Sequence, residues 1–148
     1  MVYSMRIPWH NGTHLLTVKP RKLVSGILAY DELLFGRTTY EMLAPYWSSL
    51  HNDEMGIARK LNSAPKYVVS TKLKKADWNN STIIGEDVVA EITRLKEQPG
   101  REIEIEGSAS LVQYLTEADL IDEYRLLIHP IIAGKGKRFF KGGWLLMA

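Results

Sequence analysis

The order of apolar and polar positions divides the chain into alternating strand-like and helix-like stretches. "RKLVSGILAYD" spaces Leu23, Ile27 and Leu28 along one face of a helix, weakened by Gly26. "ELLFG" is a short buried-strand pattern, and "TTYEMLAPYW" predicts a helix stopped near Pro45. "DEMGIARKLNSA" predicts another helix, after which Pro65 precedes the strand pattern "KYVVS". "STII" predicts a further strand, and "EDVVAEITRLKEQPG" a helix ended by Pro99 and Gly100. "EIEIE" alternates with a strict period of two, "SASLVQYLTEADL" is helical, and "DEYRLLIHPII" is a long apolar strand in which Pro130 marks an edge, a bulge or the end. Strands separated by helix-length segments predict an α/β domain with a largely parallel sheet. No repeat, low-complexity segment or internal linker interrupts the pattern, so residues 1–148 read as a single domain.

Composition narrows the function classes. Lys plus Arg is 19 against 17 for Asp plus Glu, a net charge of +2. That balance is too mild to argue for a nucleic-acid or membrane partner. Cysteine is absent, which excludes disulfides and thiolate-ligated metal. The opening "MVYSMRIPWHNG" lacks the apolar core and cleavage site of a signal peptide. No apolar run approaches the roughly 20 residues that span a bilayer. A cytoplasmic location is expected.

Two joints between strand and helix carry the candidate chemistry. In "LLFGRTTYEML", Gly36 permits a sharp turn and a close approach, Thr38 and Glu41 fit a capping box, and Arg37 adds a forked donor. Such a helix start offers unpaired N–H groups at the positive end of a dipole, which suits a phosphate; it is equally a well-capped helix after a tight turn. "IEIEGSASLVQYL" repeats the construction, with small residues at 107–110 and a second box pattern at Ser110 and Gln113. A third strand end, "VVSTKLK", supplies Ser70, Thr71 and Lys72. In a parallel sheet all three lie at C-terminal strand ends, where open α/β sheets bind ligands. Three such ends together favour a ligand with several phosphates, such as a dinucleotide. The spacing is not the Gly-x-Gly-x-x-Gly fingerprint.

"LLFGRTTYE", "KYVVSTKL", "ADWNNSTII", "EGSASLVQYL" and "LIDEYRLLIHPIIAGKGKRFF" occur in the order found in bacterial dihydrofolate-reductase-like proteins. The chain resembles the stand-alone reductases related to the C-terminal domain of the riboflavin-biosynthesis deaminase–reductase, over about residues 22–140. The resemblance implies a three-layer α/β fold with a mixed, mostly parallel sheet, and NADPH lying across the C-terminal strand ends. Gly36, Arg37, Thr38 and Thr39 would meet the cofactor's phosphates. Ser70, Thr71 and Lys72 would sit near the 2′-phosphate, and Gly107, Ser108, Ala109 and Ser110 under the pyrophosphate. The implied reaction is hydride transfer to a small heterocyclic metabolite, pterin-like or 5-amino-6-ribosylaminouracil-like. No proton donor is assigned.

The termini depart from this family. Relatives open with a strand ending near "SLDG" and a long loop, whereas this chain has "MVYSMRIPWHNGTHLLTVKP", in which "THLLTV" is the alternative strand. Relatives continue past "GKGKRFF" into a strand hairpin, and this chain reads "KGGWLLMA". A fold incomplete at both termini is one expectation, with a homodimer covering the exposed strand edge. The alternative function is a truncated, non-catalytic nucleotide-binding or assembly module.

Other residues read as structural. His10 and His14 are four apart, but Gly12 between them and the lack of a neighbouring Glu argue against a metal site. His129, in an apolar strand, reads as a core or interface residue. Glu102, Glu104 and Glu106 share one strand face: a carboxylate cluster near a ligand is one reading, and solvated or paired side chains, at least for Glu102 and Glu104, the other. Asp122 and Glu123 suggest a structural role, Ser48 and Ser49 have no neighbouring base, and "TKLKK" and "GKGKRFFK" read as solvated loops. Trp9, Tyr46, Trp47 and Trp78 are expected as core or interface anchors.

Overall fold

A computed structural model of the chain describes residues 3–4, 29–50, 56–99 and 102–126. The elements in chain order are β1 (Tyr3–Ser4), β2 (Glu32–Gly36), α1 (Arg37–Ser49), α2 (Ile57–Ser63), β3 (Lys66–Val69), β4 (Ser81–Ile84), α3 (Val88–Lys96), β5 (Ile103–Gly107), α4 (Ala109–Glu117) and β6 (Arg125–Leu126). β2 to β5 form one parallel sheet in the order β4-β3-β2-β5. β1 pairs antiparallel with β6 and lies against β5. Residues 21–28 of the helix predicted over 21–31, the "THLLTV" strand, Trp9, His10, His14 and His129 lie outside the described residues, and the last three positions of that helix, 29–31, are turn and bend rather than helix.

β2 is the axis of the sheet. All five of its residues are buried, as a strand paired on both edges and covered on both faces requires. Successive side chains point to opposite faces, and the core divides accordingly. Leu34 joins Ile103, Ile105, Ile92, Leu95, Leu111, Val112 and Leu115 beneath α3 and α4. Leu33 and Phe35 join Tyr40, Ile57, Leu61, Val68 and Trp78 beneath α1 and α2. Helices on both faces of a parallel sheet make the three-layer α/β arrangement that the dihydrofolate-reductase-like pattern implied.

Pro45 does not stop α1, which continues to Ser49. A proline here forfeits the bond to the Glu41 carbonyl, and both residues are exposed, so that oxygen is open to water. The far end is held from outside the helix. Asn62 Nδ2 donates to the carbonyls of Trp47 (3.0 Å) and Leu50 (2.9 Å), while its Oδ1 accepts from Trp78 Nε1 (2.6 Å). Trp78 is the buried anchor expected of it, whereas Tyr46 is 61% exposed. Asp122 and Glu123 pair with Lys96 (2.8 Å) and Arg125 (2.6 Å), in keeping with a structural role.

The second face carries an ionisable residue with no exposed surface. Lys66 opens β3, and its Nζ donates to the carbonyls of Ala64 (2.7 Å) and Asn79 (2.8 Å) while lying 4.8 Å from the Trp78 ring centroid. Burial pulls its ammonium down to about 8. Below that pH the folded chain bears the cost of a buried charge. Between about 8 and the ordinary lysine value of about 10.4, the unfolded chain binds the extra proton, so stability rises with pH. Lys66→Met removes the charge but strands the buried Ala64 carbonyl and takes a donor from that of Asn79. It is expected to lower stability by about 1–3 kcal/mol at pH 7 and to abolish that alkaline rise, as read by denaturant unfolding from pH 7 to 10.

Candidate functional site

The parallel register brings four strand ends to one edge. Gly36 lies opposite Val69, Val69 opposite Ile84, and Phe35 opposite Gly107. The three stretches singled out from sequence therefore converge at the C-terminal edge of the sheet, with Ser70 to Lys72 following β3, Gly36 to Thr39 at the β2–α1 joint, and Gly107 to Ser110 at the β5–α4 joint.

The two glycine joints are interlocked. A Cβ on Gly36 would lie 2.7 Å from Ser108 Oγ and 3.1 Å from Ser108 N. A Cβ on Gly107, whose φ is +121°, would lie 3.2 Å from Thr39 Oγ1. Each joint thus fills the space that a side chain on the other would need. The peptide bond between Gly107 and Ser108 is cis.

Neither predicted capping box forms. Gly36 itself is the N-cap of α1, with extended backbone and no side-chain cap bond, and Thr38 is already inside the helix. Glu41 instead accepts from Arg37 Nη1 at 2.6 Å, one helical turn along. At the other joint Ser108, not Ser110, is the cap, and its Oγ accepts from Leu111 N at 3.4 Å. Ser110 is exposed in the first turn and Ala109 half-buried. The helices begin earlier than the boxes require because each follows its strand with almost no loop. After β3, Ser70 N donates to the Ile84 carbonyl, and Ser70 Oγ accepts from Lys72 N (3.1 Å) and Leu73 N (2.9 Å). That tight turn leaves Thr71 and Lys72 exposed at the edge.

Sequence reasoning missed the conformation of β5. The register slips so that Leu34 faces Ile105 while Phe35 faces Gly107, which leaves Glu106 as an extra, bulged residue beside the glycine joint. Glu104 is buried, not solvated, and Glu106 is half-buried. Burial, then the neighbouring Glu104 charge, pushes the Glu106 carboxyl up to about 8. The strict "EIEIE" alternation concealed the bulge, and its only cue was the glycine that follows. A separate apolar recess lined by Leu34, Ile92, Ile103, Leu115 and Ile121 holds about 10 Å³, room for one water.

The interlock predicts a conditional penalty. Gly36→Ala is expected to cost about 1–3 kcal/mol through overpacking. The cost should shrink in a Ser108→Gly background, which removes the 2.7 Å clash but keeps the backbone contact at 3.1 Å. Thermal unfolding of the four chains in this double-mutant cycle measures the coupling.

The described helices include none long and apolar enough to cross a membrane, and the described residues hold no His, Asp and Glu cluster suited to a metal. The family model described as the RibD C-terminal domain matches residues 20–147. Over 112 residues the chain is 32% identical to the uncharacterized protein YyaP of Bacillus subtilis (strain 168), a match covering 74% of this chain and 59% of that protein. Over 110 residues it is 28% identical to the uncharacterized protein YwjB of the same organism, covering 74% and 58%. The chain therefore spans under two thirds of the length of these relatives. That match takes in most of the chain, and the chain belongs to the RibD C-terminal domain family.

Proposed function

We propose that this chain is an NADPH-dependent reductase that transfers hydride to a small heterocyclic metabolite, pterin-like or 5-amino-6-ribosylaminouracil-like, as in riboflavin-biosynthesis-type reduction. The observation that carries the reading is the meeting, at one edge of the sheet, of two helix starts packed against each other at Gly36 and Gly107. Backbone N–H groups at a helix N-terminus suit a phosphate group. β3 and β5 are separated by β2 alone, so the Ser70–Lys72 turn and the Gly107 joint stand roughly 10 Å apart, two strand spacings. That span suits a nucleotide whose 2′-phosphate and pyrophosphate are held at different strand ends.

The residues present fit such a cofactor. When bound, NADPH supplies the hydride. Arg37 would pair with a phosphate oxygen, Thr38 and Thr39 would offer hydroxyls at the α1 start, and Ser70, Thr71 and Lys72 would take the 2′-phosphate. Gly107, Ser108, Ala109 and Ser110 would form the floor beneath the pyrophosphate. Glu106, next to that floor, holds a proton at neutral pH, and is the group in this region suited to hydrogen-bond a substrate heteroatom as a donor.

Glu41 opposes this binding, because it occupies Arg37 in the free chain. An exposed pair of this kind is worth about 0.2–1 kcal/mol. Following NADPH fluorescence with NADH as control, Arg37→Ala is expected to weaken binding roughly tenfold. Glu41→Gln should tighten it by about two- to fivefold, and Lys72→Ala should narrow the preference for NADPH over NADH. Failure of the folded chain to bind NADPH sinks the reductase reading.

A further inference from the structure

A fourth strand end completes the C-terminal edge of the sheet. β4 closes at Ile84, and Gly85, Glu86 and Asp87 lead straight into α3. This joint is tied to the turn after β3. Val69 faces Ile84 in register, Ser70 N donates to the Ile84 carbonyl at 3.0 Å, and a Cβ on Gly85 would lie 3.6 Å from the Ser70 carbonyl oxygen. The 85–87 joint therefore runs about one strand spacing, roughly 5 Å, from the Ser70–Lys72 turn. Glu86 and Asp87 are both exposed, and neither carboxylate has a partner among the described residues. Asp87 is the N-cap of α3, yet its side chain makes no cap bond. The cations nearby differ in this respect. Arg37 is held by Glu41 and Lys75 by Asp77, whereas the Lys72 ammonium is exposed and has no partner among the described residues. In sheet order the edge runs from the β5 and β2 glycine joints to the β3 turn with Lys72, and ends at β4 with two open carboxylates.

We propose that Glu86 and Asp87 are specificity-determining residues for the nucleotide bound along this edge, acting on the 2′ position of its adenosine ribose. The assignment rests on the reductase reading for the ligand itself. A dinucleotide with its pyrophosphate at the β5 joint brings its ribose to the β3 turn, and the next strand end is the acidic one. Two carboxylates there repel a 2′-phosphate, which carries about −1.5 to −2 charge at neutral pH. They also accept hydrogen bonds from the hydroxyls of an unphosphorylated ribose, as a carboxylate does for NAD in other open α/β sheets. Lys72 pulls the other way. The preference for NADPH over NADH is then a difference between one cation on the β3 side and two anions on the β4 side, and neutralising the anions enlarges it.

The test titrates the full chain with NADPH and with NADH by cofactor fluorescence, in about 50 mM and about 500 mM sodium chloride. The variants are Glu86→Gln, Asp87→Asn and the two combined, with Glu97→Gln at the far end of α3 as control. All are expected to fold, because the sites are exposed and Asn suits the φ of +45° at position 87 as Asp does. In low salt each change at 86 or 87 should raise the NADPH-to-NADH affinity ratio about two- to fivefold, and the pair about tenfold. High salt should shrink these gains, since exposed charges are screened. Glu97→Gln should leave the ratio as it is. An unchanged ratio in the combined variant, or tighter binding of both nucleotides by the same factor, overturns the assignment and leaves the cofactor reading standing. A folded wild-type chain that binds neither nucleotide overturns both.

Discussion

Parallel pairing of β2 with β3 on one edge and β5 on the other is the constraint on which the rest of this structure depends. A strand bonded on both sides and covered on both faces admits no water, so its side chains must belong to one core or the other. Leu34 and the pair Leu33 and Phe35 thereby assign α3 and α4 to one layer and α1 and α2 to the other. The same pairing aligns the strand ends. Because β2 runs directly into α1, and β5 into α4 through Ser108, placing the strands side by side places the two helix starts side by side.

Burial on both sides also accounts for the ionisable residues inside. Glu32 and Lys66 lie on the inner strands β2 and β3 and Glu104 on β5 at the end of the order, and all three expose 0–2% of their surface. Each sits where the sheet needs a residue and neither face offers water. Lys66 meets this with two carbonyls and an aromatic ring, and the Tyr67 hydroxyl stands 3.5 Å from Glu32. Glu106 escapes full enclosure only because the bulge displaces it towards the edge.

Much of this was legible in the sequence. The runs "ELLFG", "KYVVS" and "STII" became strands because apolar continuity and flanking Gly and Pro are local signals. The glycine joints were legible as places of close approach, and they meet each other. What remained hidden depends on neighbours distant in sequence. Pro45 reads as a helix stop until both it and Glu41 are seen to face solvent. Thr38–Glu41 and Ser110–Gln113 satisfy a spacing rule, but the abrupt strand–helix joints moved each start towards the strand. The bulge at Glu106 arises from the register against β2, which alternation within β5 does not encode.

The contact between the joints also limits how such a chain can diverge. Position 36 has no room for a Cβ while a side chain stands at 108, and position 107 faces Thr39 in the same manner. Loss of the Ser108 side chain therefore relieves position 36 only in part, because the backbone contact at 3.1 Å stays, and position 107, at φ +121°, remains strained for any side chain whatever stands at 39. A lineage that enlarges both at once gives up the shared edge of the sheet, even if every strand and helix persists.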